Sequence, residues 1–149
     1  MKHVLMSIKP RFSRAIFAGT KLWELRRVRA RIETGDVVVV YETAPTSAIV
    51  GAFRVSEVLH GTPAEVGALV EINALSDREY DEYFASARQA TAIGVGVTVD
   101  LCSHEIPLHG HPPQSYRFLD SLADVFGSEL AAEVSFILGA HKTNEGTND

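Results

Sequence analysis

The order of apolar and polar residues in the first 60 positions predicts four strands and one short helix. The helix begins at Pro10, whose missing N–H suits the first helical turn. It ends before Gly19, a residue type that favours helix C-termini. Gly51 predicts a bulge in the last of the strands, and a β-branched run predicts that the third is buried on both faces. The predicted strands are residues 3–8, 21–28, 34–43 and 47–59.

Two helices with clear N-terminal signals follow these strands. The first is predicted over residues 62–75, with Thr62 as N-cap and a proline at the first helical position. The second is predicted over residues 76–88, with Ser76 or Asp77 as N-cap and acidic residues in its first turn.

A long strand and one terminal helix complete the predicted elements. Residues 90–101 alternate as a strand does, and the face that carries Gly94 and Gly96 has mostly small side chains. Such a face permits the close approach of another backbone, a helix or a ligand. A loop with a short extended piece follows, and then a single helix from about residue 121 to 138.

These elements indicate the α+β fold class, in which mostly antiparallel strands form a small, partly closed β-barrel with flanking helices. The length of 149 residues is typical of one domain, which we expect over residues 1–140. The polar tail at 141–149 predicts disorder.

Composition indicates a soluble protein of ordinary type, with 46% hydrophobic and 22% charged residues. No apolar run approaches the ~18 residues that span a bilayer, so we expect no membrane partner. The N-terminal apolar stretch is too short for a signal peptide. The single cysteine, Cys102, excludes an internal disulfide framework and favours a cytoplasmic location.

Charge is distributed unevenly along the chain. Residues 1–31 contain nine lysines or arginines and one acid, Glu24, whereas the whole chain has a net charge of −5. This asymmetry favours a localised anion-binding face over general attraction to nucleic acid. The alternative is that these bases pair with acids elsewhere in the fold.

Possible metal ligands cluster in the loop at 102–111, but their spacing matches no familiar metal site. The sequence also lacks a phosphate-binding loop, a dinucleotide motif and a nucleophile elbow. We therefore expect no metal and no cofactor. The clustered residues are Cys102, His104, Glu105, His109 and His111.

The most specific signal is the pattern Gly19-x-Lys21-x-x-Glu24-x-Arg26, placed between the predicted helix and the second strand. This pattern, together with the strands that follow it and the later segment "PPQSYRFL", resembles the ASCH domain of the PUA-like superfamily. The resemblance implies a cleft beside the barrel, lined by the motif side chains, that accepts RNA or a modified nucleoside. The oligomeric state is not implied.

The residue types suit such a ligand. Arg26 offers a planar fork of donors to a phosphate or a base edge, and Glu24 can hold Arg26 or Lys21 in place or accept hydrogen bonds from a base. Tyr41 could stack on a base. Lys9 adds positive potential at the helix start. Lys21 and Glu24 are three residues apart, so they share a site only if Lys21 lies in a turn or a bulge intervenes.

An enzyme is the second hypothesis. One branch that the resemblance brings in consists of amidohydrolases acting on N4-acetylcytidine, in which the motif lysine attacks or activates the amide. There a threonine stands where this chain has Glu24, which argues against that activity. Other members are proposed to cleave RNA, and for that chemistry Lys21, Tyr41 and Ser115 are candidates. Lys21 and Glu24 are the catalytic candidates of the motif.

A third, purely structural hypothesis is that the arginines only keep an exposed strand edge from pairing with other chains. It could explain Arg29, Arg31 and Arg27, but it explains Glu24 and Arg26 less well.

Overall fold

A computed structural model describes residues 1–70 and 75–139 of the chain. Six strands and five helices follow one another in these two ranges. They are β1 (His3–Ile8), α1 (Pro10–Phe17), β2 (Trp23–Arg26), β3 (Val37–Glu42), β4 (Ala48–Gly61), α2 (Pro63–Leu69), α3 (Asp77–Tyr83), β5 (Ala90–Asp100), β6 (Tyr116–Leu119), α4 (Ala123–Phe126) and α5 (Ser128–Leu138).

The six strands form one mixed sheet in the order β2-β5-β4-β3-β1-β6, which curves into a half-barrel. Only the pair β1–β3 is parallel, and the other four pairs are antiparallel. Helix α1 lies between β1 and β2 in the sequence, which allows these two strands to sit far apart in the sheet. The predicted α+β class with a partly closed barrel is confirmed.

Local signals set most element ends as the sequence predicted. Pro10 occupies the first position of α1, and Gly19 adopts φ +80° just after the helix. Thr62 and Ser76 cap α2 and α3 through reciprocal capping boxes. Such caps satisfy backbone N–H groups that have no partner within the helix.

Three hydrophobic clusters hold the sheet and helices together. Helix α5 covers one face of the sheet through Ala131, Val134 and Leu138. Helix α1 and residues 30–32 cover the other face, where Ile16 and Phe53 are almost fully buried. A third cluster packs α2 and α3 against β2 and β5. Helices α2 and α3 thus pack beside β2.

Glycines shape the sheet where the sequence predicted close approach. The register between β3 and β4 shifts opposite Gly51, which has φ +157°, and a Cβ there would lie 2.3 Å from the carbonyl oxygen of Val99. A Cβ on Gly94 or Gly96 would lie 2.4 Å or 2.8 Å from atoms of β4. The small-residue face of β5 therefore admits the neighbouring strand.

The C-terminal region differs from its prediction. The expected single helix is divided into α4 and α5 by Gly127, whose φ of +76° interrupts the helical backbone. The first capped helix, predicted over residues 62–75, ends at Leu69, and Val70 is extended. Residues 71–74 of the predicted range lie outside the described residues, as does the predicted disordered tail at 141–149. Within the described ranges, no helix is long and apolar enough to cross a membrane.

Candidate functional site

A cleft of about 690 Å³ opens where the C-terminal end of β1 meets α1, β2 and α3. Among the described residues, five basic and three acidic side chains line it, together with aromatic and apolar groups. The charged residues are Lys9, Arg11, Lys21, Arg26, Arg27, Glu24, Glu79 and Glu82. The motif predicted from the sequence therefore forms one wall and the floor of a cleft.

Lys21, Glu24 and Arg26 meet at the floor of this cleft. Lys21 lies before β2, in the turn after α1, where its backbone N–H donates to the carbonyl of Ala15 at 3.1 Å. This is the placement that the sequence required for Lys21 and Glu24 to share a site. The Lys21 Nζ is 3.8 Å from Oε2 of Glu24, and the Arg26 Nη2 is 3.5 Å from Oε1. One carboxylate thus lies between two cations.

Hydrogen bonds to two other segments fix the orientation of Arg26. Its Nη2 donates to the carbonyl of Ser7 at 3.0 Å, and its Nη1 donates to Oγ of Ser115 at 3.2 Å. Ser7 lies in β1, and its N–H donates to the carbonyl of Ser115, just before β6. Ser115, a predicted site residue, is therefore held beside the floor through Arg26.

Some polar atoms at the floor have no hydrogen-bond partner among the described residues. Glu24 Oε2 and Arg26 Nε are both in this state, and the side chains are only 8% and 12% exposed. A buried polar atom without a hydrogen bond costs about 1–3 kcal/mol. Both atoms are buried, so a ligand reaches them only when the floor side chains shift. A ligand that then supplies a donor to Glu24 and an acceptor to Arg26 would recover that free energy.

Burial changes the acidity of Lys21. Its side chain is 6% exposed, and its Nζ lies 5.1 Å from the centre of the Phe12 ring. Burial is the largest cause that lowers the pKa of Lys21, and the positive charge of Arg26 adds to it, whereas Glu24 opposes the shift. The ammonium therefore releases its proton more readily than that of an ordinary lysine.

The opposite wall comes from α3, which the sequence did not connect with the motif. Arg11 of α1 forms two hydrogen bonds with Glu79, and this contact lowers the pKa of Glu79 to about 2. The Arg27 guanidinium lies 4.8 Å from the centre of the Tyr83 ring. The purely structural hypothesis treats Arg27 as a charge on an exposed strand edge. The structure places Arg27 in the lining of the cleft. No short-range pattern could have shown these contacts, because they join residues 56 or more positions apart.

Two predicted site residues lie in different surroundings. Lys9 is exposed, precedes α1 and lines the cleft. Tyr41 is 8% exposed and packs in the cluster that α5 covers, with Val39 and Ile49, and it does not line the cleft. Base stacking by Tyr41 would need a free ring face, which this packing does not offer.

The next feature is the set of possible metal ligands in the loop at 102–111. Within residues 1–70 and 75–139, no three His, Cys, Asp or Glu side chains come together as a possible metal site. Burial and the neighbouring Asp100 raise the pKa of Cys102 to about 12, so its thiol stays protonated near neutral pH.

Comparisons with known proteins agree with this architecture. A relative from Zymomonas mobilis, named an ASCH domain-containing ribonuclease, is 26% identical over 126 residues that cover 79% of this chain and 84% of the relative. Two solved structures of the Zymomonas mobilis ASCH protein match with a TM-score of 0.67 each. One is a serine-to-alanine variant, 26% identical over 79% of this chain and 88% of that one. The other is a tyrosine-to-phenylalanine variant, 25% identical over 80% and 91%.

The family profile covers the part of the chain that builds the cleft. The ASCH domain model matches residues 6–98, which include the motif, the strands β2 to β4, most of β5 and the helix α3 that forms the opposite wall. This match spans more than half of the sequence. The chain therefore belongs to the ASCH domain family.

Proposed function

We propose that this protein binds RNA, or a modified nucleoside derived from it, in the cleft above Lys21, Glu24 and Arg26. The observation that carries the proposal is the buried ion-paired floor, in which Glu24 Oε2 and Arg26 Nε still lack hydrogen-bond partners. A base edge has both a donor and an acceptor to offer these two atoms. The cleft volume of about 690 Å³ is also within the range of small-ligand sites.

The charges on the cleft rim suit a nucleic-acid backbone. Lys9 and Arg27 are exposed there, and neither has a carboxylate within ion-pair distance among the described residues. Arginine and lysine at such positions contact phosphate oxygens and give an affinity that falls with salt. The floor would then bind the base, and Lys9 and Arg27 at the rim would contact the phosphates.

Fluorescence anisotropy with a labelled pool of single-stranded RNA tests this proposal. Arg26→Lys keeps the positive charge but removes the planar fork of donors. We expect it to weaken RNA binding by at least about tenfold, because the ligand loses the Nε–H donor and a hydrogen bond to a charged group is worth about 1.5–3 kcal/mol. The matched control is Arg54→Lys, because Arg54 is bonded to the carbonyl of Gly139 on the opposite face of the sheet. Equal affinity of wild type and Arg26→Lys would contradict the proposal.

RNA cleavage in the same cleft is the second candidate function. It is favoured by the name of the Zymomonas mobilis relative and by the lowered pKa of Lys21. In such a reaction Glu24 Oε2 would take the proton of a ribose 2′-hydroxyl while the 2′ oxygen attacks the adjacent phosphorus. The 5′ oxygen would leave with a proton from the Lys21 ammonium, giving a 2′,3′-cyclic phosphate and a 5′-hydroxyl. Arg26 would stabilise the charge on the phosphate oxygens.

A single substitution separates cleavage from binding. Lys21→Arg keeps the charge beside Glu24, but an arginine does not give up its proton in a protein. We expect this variant to bind RNA and to yield no cyclic-phosphate product in gel and mass analysis. Cleavage at an undiminished rate would exclude Lys21 as the proton donor. N4-acetylcytidine incubated in parallel tests the amidohydrolase alternative, for which release of acetate would be the positive result.

A further inference from the structure

A second basic surface lies beyond the cleft. It consists of two adjoining depressions of about 490 and 310 Å³, both of which Arg29 and His60 line. We name it the arginine groove. Its basic residues are Lys2, Arg29, Arg31, His60 and Arg88, and its acidic ones are Glu33 and Glu65.

The chain runs directly from the cleft floor into this groove. Arg26 ends β2, and Arg29 stands three residues later. Anchors on both sides fix the connecting segment. Thr91 Oγ1 donates to the carbonyl of Val28 at 2.6 Å and accepts from the N–H of Ala30 at 3.1 Å. The N–H of Arg31 donates to the Tyr116 hydroxyl at 3.2 Å, one residue from the Ser115 that holds Arg26.

Burial alternates along this segment and directs the arginines outward. Ala30 and Ile32 are 3% and 2% exposed in the core that α1 covers, whereas Arg29 and Arg31 are exposed. Two residues of extended chain span about 6.6 Å. The two arginine side chains are therefore both presented to solvent, two positions apart along the chain.

The positive charge of the groove is not neutralised by its own acids. Among the described residues, no carboxylate lies within 4.0 Å of Arg29, Arg31 or Arg88. Glu33 pairs with Lys2 at 3.7 Å, and Glu65 is occupied in the capping box of α2. Arg29 and His60 both line each of the two depressions, and burial and then the positive charge of Arg29 lower the pKa of His60.

We infer that the cleft belongs to a longer binding site for a single-stranded polynucleotide, whose sugar–phosphate backbone leaves the floor and follows the arginine groove past Arg29 and Arg31. The inference rests on the proposed function of the cleft and specifies its ligand as a strand of several nucleotides. An acidic peptide would also meet positive charge here. It would not explain why the groove continues from a floor whose Glu24 Oε2 and Arg26 Nε lack hydrogen-bond partners.

The test compares two probes on the full chain. One is a single-stranded RNA of about 12 nucleotides, a length typical of single-strand sites, and the other is a nucleoside monophosphate. The double variant Arg29→Gln/Arg31→Gln should bind the RNA more weakly and lower its salt slope by about 1.4, or 0.7 for each lost phosphate contact. Its affinity for the monophosphate should stay unchanged. Arg54→Gln is the control for removal of an exposed arginine on the opposite face.

Three other results would overturn the groove, alone or together with the cleft. An unchanged salt slope in the double variant, with RNA binding still sensitive to Arg26→Lys, would overturn the groove and leave the cleft proposal standing. Absence of RNA binding by the wild type would overturn both. An acidic peptide that binds the wild type, loses affinity in the double variant and is not displaced by the RNA would overturn the groove as a nucleic-acid site. Circular dichroism and thermal melting of both variants verify that each is folded.

Discussion

The cleft floor and the arginine groove place charges from neighbouring positions in opposite environments. At the floor, Lys21, Glu24 and Arg26 are buried and paired with one another. A few residues later, Arg29 and Arg31 are exposed. Nothing in the residue types distinguishes Arg26 from Arg29. The difference comes from the strand pairing of β2 with β5, which ends at Arg26 opposite Thr91.

This difference indicates two separate contributions to binding. Buried ion pairs add little stability, because the loss of hydration offsets most of the attraction, but they fix geometry. Exposed arginines contribute long-range attraction that salt screens. We therefore expect the floor to determine which nucleotide is bound and the groove to contribute affinity that depends on strand length and salt.

The largest expected effect is that of Glu24→Ala on stability. The substitution leaves Lys21 and Arg26 buried beside each other without their carboxylate. We expect this to lower the free energy of unfolding by about 3–5 kcal/mol. Arg29→Ala at the exposed site should change it by less than about 0.5 kcal/mol. Urea denaturation measures both, and Glu24→Gln serves as the uncharged control of similar shape. Similar values for the two alanine variants would remove the distinction between floor and groove.

Ser115→Ala should have an intermediate effect. The hydroxyl accepts a hydrogen bond from the charged Arg26 Nη1 at 3.2 Å, a kind of contact typically worth about 1.5–3 kcal/mol. We expect RNA affinity to decrease by up to about tenfold at one salt concentration while the salt slope stays constant, because no charge is removed. A changed slope with constant affinity at low salt would place Ser115 among the backbone contacts instead.

The titration of Lys21 should respond to Glu24. Because burial lowers its pKa and Glu24 opposes that shift, Glu24→Gln should lower the pKa further. The unfolded chain binds this proton more tightly than the folded one. Stability therefore rises with pH between the pKa of the folded state and the ordinary value of 10.5. Carbon NMR of reductively methylated lysines measures the pKa, and a higher pKa in the variant would contradict the described geometry.

The smallest effect is expected at Lys9. This exposed side chain at the cleft rim should contribute one phosphate contact. Lys9→Gln should therefore lower the salt slope by about 0.7 without altering preference among RNA sequences. Anisotropy titrations at several salt concentrations measure this change. A changed sequence preference would move Lys9 into the group that reads bases.

Local chemistry explains which parts of the fold the sequence revealed. Pro10, Gly19, Thr62 and Ser76 act on their own helix ends, so they set those ends independently of the rest of the fold. Gly127 did not reveal the division of the last helix, because a lone glycine within a helical pattern often remains helical.

The site was predictable only where its residues are neighbours in the sequence. Lys21, Glu24 and Arg26 belong to one short motif, whereas Glu79 and Tyr83 reach the cleft through the packing of α3. The uniformly apolar run of β3 has no alternation that assigns a face to Tyr41, and the structure places its ring in the core. The arginine groove joins residues from both halves of the chain, which no local pattern reports.

The side chain of Arg26 gives the most direct test of the cleft as an RNA site. Its Nε has no hydrogen-bond partner among the described residues, so the Nε–H signal in a nitrogen–proton NMR spectrum reports a ligand acceptor directly. On titration with single-stranded RNA, we predict a downfield shift and slower exchange of this signal, while that of Arg54 stays fixed. An Arg26 signal that does not move when RNA saturates the protein would contradict the account.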